Sequence, residues 1–122
     1  MPVFREGAEL LAEPWSVSFL SSPAPNAKVV LGRSPERRGE VEAAMRERID
    51  AVFTVAAQAK HDALVFGAWG CGAFGNDSSM VAGLFADAVA RWQGCFAALS
   101  FAILDSSPER RFIGPFEALA TS

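Results

Sequence analysis

Ala63-Leu64-Val65-Phe66-Gly67-Ala68-Trp69-Gly70-Cys71-Gly72-Ala73-Phe74-Gly75-Asn76-Asp77 is the stretch on which the fold turns. Its first part, Ala63 to Trp69, is a continuous apolar run between the polar Lys60-His61-Asp62 and a set of glycines. That pattern predicts a strand buried on both faces of a parallel sheet. Asn76 or Asp77 then suits the N-cap of a helix whose Val81, Leu84, Phe85, Ala88, Val89 and Trp92 recur at steps of three and four, with Gly94 as its stop. Gly70 to Asp77 is thus a glycine-rich connection at the carboxyl end of a strand, where open α/β sheets hold ligands.

Working upstream, Ser34-Pro35-Glu36 reads as an N-cap, a proline in the first helical position and an acid in the first turn. Val41, Met45, Ile49, Val52, Phe53 and Ala56 extend that helix to about Lys60 with one apolar stripe, while Glu42, Arg46, Glu47 and Asp50 face water. Trp15 to Leu20 alternates, with Trp15, Val17 and Phe19 on one face, and predicts a strand. Ser21 to Asn26 carries two prolines and ends it as a stiff loop. Residues 1–14, with Gly7 between Val3-Phe4 and Leu10-Leu11, fit a loose hairpin or arm.

Downstream, Ala97 to Leu104 predicts a third strand, Asp105-Ser-Ser-Pro-Glu-Arg-Arg a polar turn, and Phe116 to Leu119 a helical turn or two. Strand, helix, strand, helix, strand with connections of this length implies parallel pairing through right-handed crossovers, hence an α/β class. Residues 15–122 would form that β-α-β-α-β core with its short C-terminal helix, in a single domain spanning 1–122.

The 122 residues are 51% hydrophobic and 20% charged, with a net charge of −3, as suits one domain rather than a disordered chain. The acidic balance argues against nucleic-acid binding through a basic patch, so an anionic ligand needs local groups. No apolar run reaches the roughly 20 residues that span a bilayer. The N-terminus lacks the basic-then-apolar layout of a signal peptide, which points to the cytoplasm. Two cysteines, Cys71 and Cys95, and one histidine, His61, do not assemble a four-ligand zinc site, so no metal and no cofactor is expected.

Gly70, Gly72 and Gly75 fit the spacing Gly-x-Gly-x-x-Gly. Glycines let the backbone approach a ligand, and free N–H groups at a helix start hold phosphate oxygens without a lysine or arginine. The nicotinamide reading fails on context: the loop follows a later strand, and Asp105, the acid at the end of the next one, stands 30 residues past Gly75 instead of about 20. A phosphate-binding loop and a tight turn imposed by packing both remain open on pattern alone. Phe74 divides them, since an aromatic between glycines either shields a nucleotide's ribose or tucks into the core.

Leu64 to Asp77 resembles the phosphate-loop signature of the microbial-type, that is bacterial, poly(ADP-ribose) glycohydrolases, a branch of the macrodomain fold. Pro2-Val3-Phe4-Arg5, Ser16-Val17-Ser18-Phe19, Ser22-Pro23-Ala24-Pro25-Asn26 and Phe101-Ala102-Ile103-Leu104-Asp105 resemble successive parts of that family's C-terminal half. The resemblance implies a partial macrodomain-like three-layer αβα sandwich with a mostly parallel sheet. It implies ADP-ribose, free or on a modified protein, as ligand. Gly70, Cys71, Gly72, Ala73, Phe74, Gly75 and Asn76 would wrap its diphosphate and ribose, with Asn26 as a further contact.

In that family a triple glycine followed by Gln-Glu-Glu performs the hydrolysis from the N-terminal half. Neither motif occurs in this sequence. Breaking the ribose-ribose bond requires a carboxyl group placed to protonate the leaving oxygen, and nothing ties Glu6, Glu9, Glu13, Glu36 or Glu40 to the loop, so no catalytic residue is assigned. The leading expectation is an ADP-ribose-binding, truncated macrodomain without hydrolytic activity of its own. The alternatives are one half of a split glycohydrolase completed by another chain, and a remnant that acts only in protein association. The resemblance also puts a strand of the other half between Trp15–Leu20 and its neighbours, which predicts an open edge and either self-association or a complementing chain.

Overall fold

The computed structural model describes residues 1–120. It begins with an antiparallel hairpin of β1 (Pro2–Glu6) and β2 (Glu9–Ser16), turning at Gly7 with φ +60°. The Val17 N–H donates to the Met1 carbonyl at 2.6 Å and closes its open end. Val3 and Leu11 are half-buried in the hairpin, while Leu10 and Trp15 are exposed.

The strand expected over Trp15–Leu20 does not form: Trp15 and Ser16 end β2, and residues 17–26 run as irregular chain. Alternation selects which side chains share a face, but a strand also needs a neighbour to accept its hydrogen bonds, and none lies beside residues 18–20 among the described residues. A short helix that the sequence did not announce, α1 (Ala27–Arg33), follows, with the Asn26 side chain accepting from Val29 N–H at 3.2 Å as its N-cap.

The Ser34-Pro35 start is displaced by one turn. Pro35–Arg37 is a 3-10 turn, the Ser34 side chain makes no capping bond, and α2 runs Arg38–Gln58. Its buried residues are Val41, Met45, Ile49, Phe53 and Ala56, the stripe read from the sequence with Val52 at its half-buried margin. β3 (Ala63–Phe66), α3 (Ser78–Arg91), β4 (Ala98–Phe101) and α4 (Gly114–Ala120) complete the chain. β3 and β4 pair in parallel with Ala63 opposite Ala98 and Phe66 opposite Phe101.

The core lies between this two-stranded sheet and the helices. Phe53 of α2 sits 5.4 Å from Phe66 and 6.5 Å from Phe85, ring centre to ring centre. Phe85 of α3 in turn stands 5.2 Å from Phe101 and 6.1 Å from Phe116 of α4. Each such pair contributes about 0.5–1.5 kcal/mol beyond the area it buries. Asp50 links α2 to α3 by accepting from Arg91 at 3.3 Å and from the Trp92 indole at 3.4 Å.

Two expectations are corrected here. The chain is a mixed α/β structure, but its strands form one antiparallel and one parallel pair, so the sheet is not mostly parallel. Nor is β3 buried on both faces: Leu64 and Phe66 turn to the core while Ala63 and Val65 are exposed, and β4 alternates in the same way. The helices that carry the core cover one face of β3–β4, giving two layers where three were expected. An all-apolar strand identifies a surface fit for burial; it does not supply the cover.

Among the described residues, no helix is long and apolar enough to cross a membrane, and no group of three His, Cys, Asp or Glu side chains could hold a metal ion.

Candidate functional site: the loop between β3 and α3

After Phe66 the chain leaves the ladder and turns back on itself. Gly70 (φ +77°) and Gly75 (φ +69°) take left-handed backbone conformations, open to glycine and costly for other residues. Gly70 has a second constraint: a Cβ there would lie 2.7 Å from the Ala24 Cβ and 2.8 Å from the Asn76 amide nitrogen. Gly72 has nothing within 4 Å of such a position. One glycine is required by the fold, whereas the other leaves open space.

The loop is pinned to the stiff segment before α1. The Trp69 indole donates to the Ser22 carbonyl at 2.9 Å, the Asn76 side-chain amide to the Pro25 carbonyl at 2.8 Å, and the Lys28 N–H to the Phe74 carbonyl at 2.8 Å. Internal bonds run from Cys71 N–H to Ala68, Gly75 N–H to Gly72 and Asn76 N–H to Gly70. The N–H groups of Gly72, Ala73 and Phe74 donate to nothing among the described residues. Three successive unpaired amides thus precede the N-terminus of α3, and unpaired amides ahead of a helix start are suited to an anion.

Phe74 is 38% exposed and pairs with no other ring among the described residues, so it does not tuck into the core. Cys71 is buried, and that burial pushes its thiol up; Asp77 adds to the shift and the Ser78 hydroxyl opposes it. It is a protonated packing residue at neutral pH, not a nucleophile. Asp77 caps α3 by accepting from Ser79 N–H at 3.0 Å. Asn26 stands near the loop, but its side-chain oxygen is committed to capping α1.

Asn76 is 4% exposed. Its Nδ2 donates to both the Pro25 and the Gly70 carbonyl oxygens at 2.8 Å, which fixes the amide orientation, since the reverse would set oxygen against oxygen. Its Oδ1 is buried without a partner among the described residues, a state that costs about 1–3 kcal/mol until a donor arrives.

An open cleft of about 350 Å³ lies beside the loop, lined by Cys71, Gly72, Asn76, Asp77, Ser78, Ser79, Arg111 and Phe112. The sequence singles out neither Ser78 and Ser79 nor Arg111 and Phe112. The last two belong to the turn after β4, where the Asp105 carboxylate accepts from Ser107 N–H and Oγ and from Phe112 and Ile113 N–H at 2.6–3.0 Å. The Ser107 hydroxyl and these backbone donors hold Asp105 well below the usual carboxylate range. The available signal was Asp-Ser-Ser-Pro, an acid followed by turn residues at a strand end, but nothing local says toward what the turn points.

The sequence matches no family model and no curated protein. Among solved structures, poly(ADP-ribose) glycohydrolase from Deinococcus radiodurans in complex with ADP-ribose matches with a TM-score of 0.86 and 40% identity, over 96% of this chain and 48% of that one. Its apo form matches at 0.84 with the same identity. The glycohydrolase from Thermomonospora curvata matches at 0.84 and 40% identity, over 96% of this chain and 43% of its own. This chain therefore spans about half the length of the structures it matches, a share consistent with their C-terminal half. Over almost every residue of this stretch, the chain is similar to the bacterial poly(ADP-ribose) glycohydrolases.

Proposed function

We propose that this chain binds ADP-ribose, free or attached to protein, with Gly70 to Asn76 cradling the diphosphate and Phe74 against the adjoining ribose. The carrying observation is the run of unpaired N–H groups at Gly72, Ala73 and Phe74 ahead of α3. Backbone amides hold an anion without a basic patch, which agrees with a net charge of −3. Support also comes from the related structure solved with ADP-ribose. Isothermal titration of ADP-ribose into the wild-type chain and Gly72→Glu tests it. Binding by the wild type and none by the variant is expected, because the new carboxylate occupies the open space above the loop and repels phosphate. A wild type that takes up no heat, or a variant that binds equally well, ends the proposal.

A second reading is favoured by the bare face of β3–β4, where Val65 is 72% exposed. In it the three-layer architecture is completed by residues outside this stretch, carried on the same or another polypeptide, and the carboxyl groups for hydrolysis come from there. A second copy of the chain is the competing occupant. Adding the complementary half of the fold should then restore ADP-ribose release from a poly(ADP-ribose) substrate. If the mixture stays inactive with both halves folded, this reading fails.

A further inference from the structure

The loop offers an anion only backbone dipoles, yet the cleft that it lines also contains a full positive charge. Arg111 is on that cleft with Gly72 and Asn76. The ion pairs among the described residues occupy Arg37, Arg46, Arg91 and Arg110 and leave Arg111 without a carboxylate. Its guanidinium sits 4.7 Å from the centre of the Phe112 ring. The guanidinium N–H donors bond to nothing among the described residues and are left for another partner.

The placement of this arginine is fixed by its turn. The Asp105 carboxylate gathers the Phe112 and Ile113 N–H groups at 2.8 and 3.0 Å, and the N–H of Arg111 itself donates to the Ser107 hydroxyl at 3.1 Å. An arginine on a clamped turn and stacked on a ring loses less freedom on binding than one on a mobile loop. Asn76, which also lines the cleft, keeps its Oδ1 buried without a donor among the described residues. A guanidinium without a carboxylate partner beside unpaired backbone N–H groups suits a ligand that carries phosphate oxygens.

We propose that Arg111 is a ligand-binding residue of this site, its guanidinium taking a phosphate oxygen of a sugar-bearing diphosphate held on residues 72–74, with Asp105 as the residue that positions it. The proposal rests on the reading of the loop as a phosphate cradle. Titrations of ADP-ribose and of adenosine into the full chain at two salt concentrations test it. Arg111→Gln should weaken ADP-ribose binding about tenfold or more, as expected for a charge-assisted hydrogen bond. The same change should flatten the salt dependence and leave any binding of adenosine, which has no phosphate, unaltered. Arg111→Lys should recover part of the loss. If Asp105 acts through Arg111, Asp105→Asn will weaken binding in the wild type and add little in the Arg111→Gln background. Full-strength binding by Arg111→Gln, with Gly72→Glu still inactive, overturns the role of Arg111 and leaves the loop reading standing. Absence of binding by the wild type overturns both.

Discussion

On one face of the β3–β4 sheet, Leu64, Phe66, Leu99 and Phe101 turn to Phe53, Phe85 and Phe116 and are packed by them. On the other, Ala63, Val65, Ala98 and Ser100 meet solvent. The same two strands therefore present a finished interface and an uncovered one, four residues long in each case. The candidate loop is anchored on the finished side: the space at Gly70 is bounded by Ala24 and by Met45 of α2, both members of the core cluster. The loop is thus held in shape by the helices and the proline-rich segment and not by anything on the uncovered face of the sheet.

The widest contrast is in stability. Phe53→Ala removes a fully buried ring that touches Phe66, Phe85, Trp92 and Phe96, and should cost about 3–5 kcal/mol. Val65→Ser on the bare face should change stability by about 0.5 kcal/mol or less. Urea unfolding of the isolated chain measures both; comparable losses would mean that the exposed face is covered in solution, for example by a second copy.

The next contrast lies inside the loop. Gly70→Ala should lose about 1–3 kcal/mol, from the left-handed backbone and the collision with Ala24. Gly72→Ala meets nothing within 4 Å and should leave the unfolding midpoint in place while reducing ADP-ribose affinity. A stability loss at Gly72 as large as that at Gly70 would assign both glycines to the fold alone.

The smallest effect is set by pH. Asp105 is held in its charged form by four hydrogen bonds in the folded chain. Its contribution to stability is complete above the unfolded-state value of about 3.9 and declines as pH falls from there toward the lower folded value. Asp105→Asn should be the less stable form at pH 6, and the difference should shrink on acidification. A gap between the two urea midpoints that stays constant from pH 6 down to pH 3 would show that the carboxylate charge is not what closes the turn.

Much of this structure was legible in the sequence where the signal is local. The stripe Val41, Met45, Ile49, Phe53 needed only the helical period, and the cap at Asp77 needed only a short polar side chain before an apolar series. The loop was legible because its glycines sit where a strand meets a helix. The strand expected at Trp15–Leu20 failed for the opposite reason, since alternation is local but pairing is not. Asn26 has a role that needed the fold: its side-chain oxygen caps α1, whose onset at Ala27 the sequence did not announce.

By itself, then, the sequence determined the helical faces, the apolar strand at Ala63–Phe66 and the glycine-rich turn after it, because each depends on the spacing of neighbouring residues along one element. Tertiary structure alone decided that β3 is covered on one face only and that Asn76 Oδ1 is buried without a partner. It also placed Arg111, 36 positions beyond Gly75, on the same cleft as the loop. These depend on which elements stand beside one another, and contact between residues distant in sequence is a property of the packed fold that no local pattern encodes.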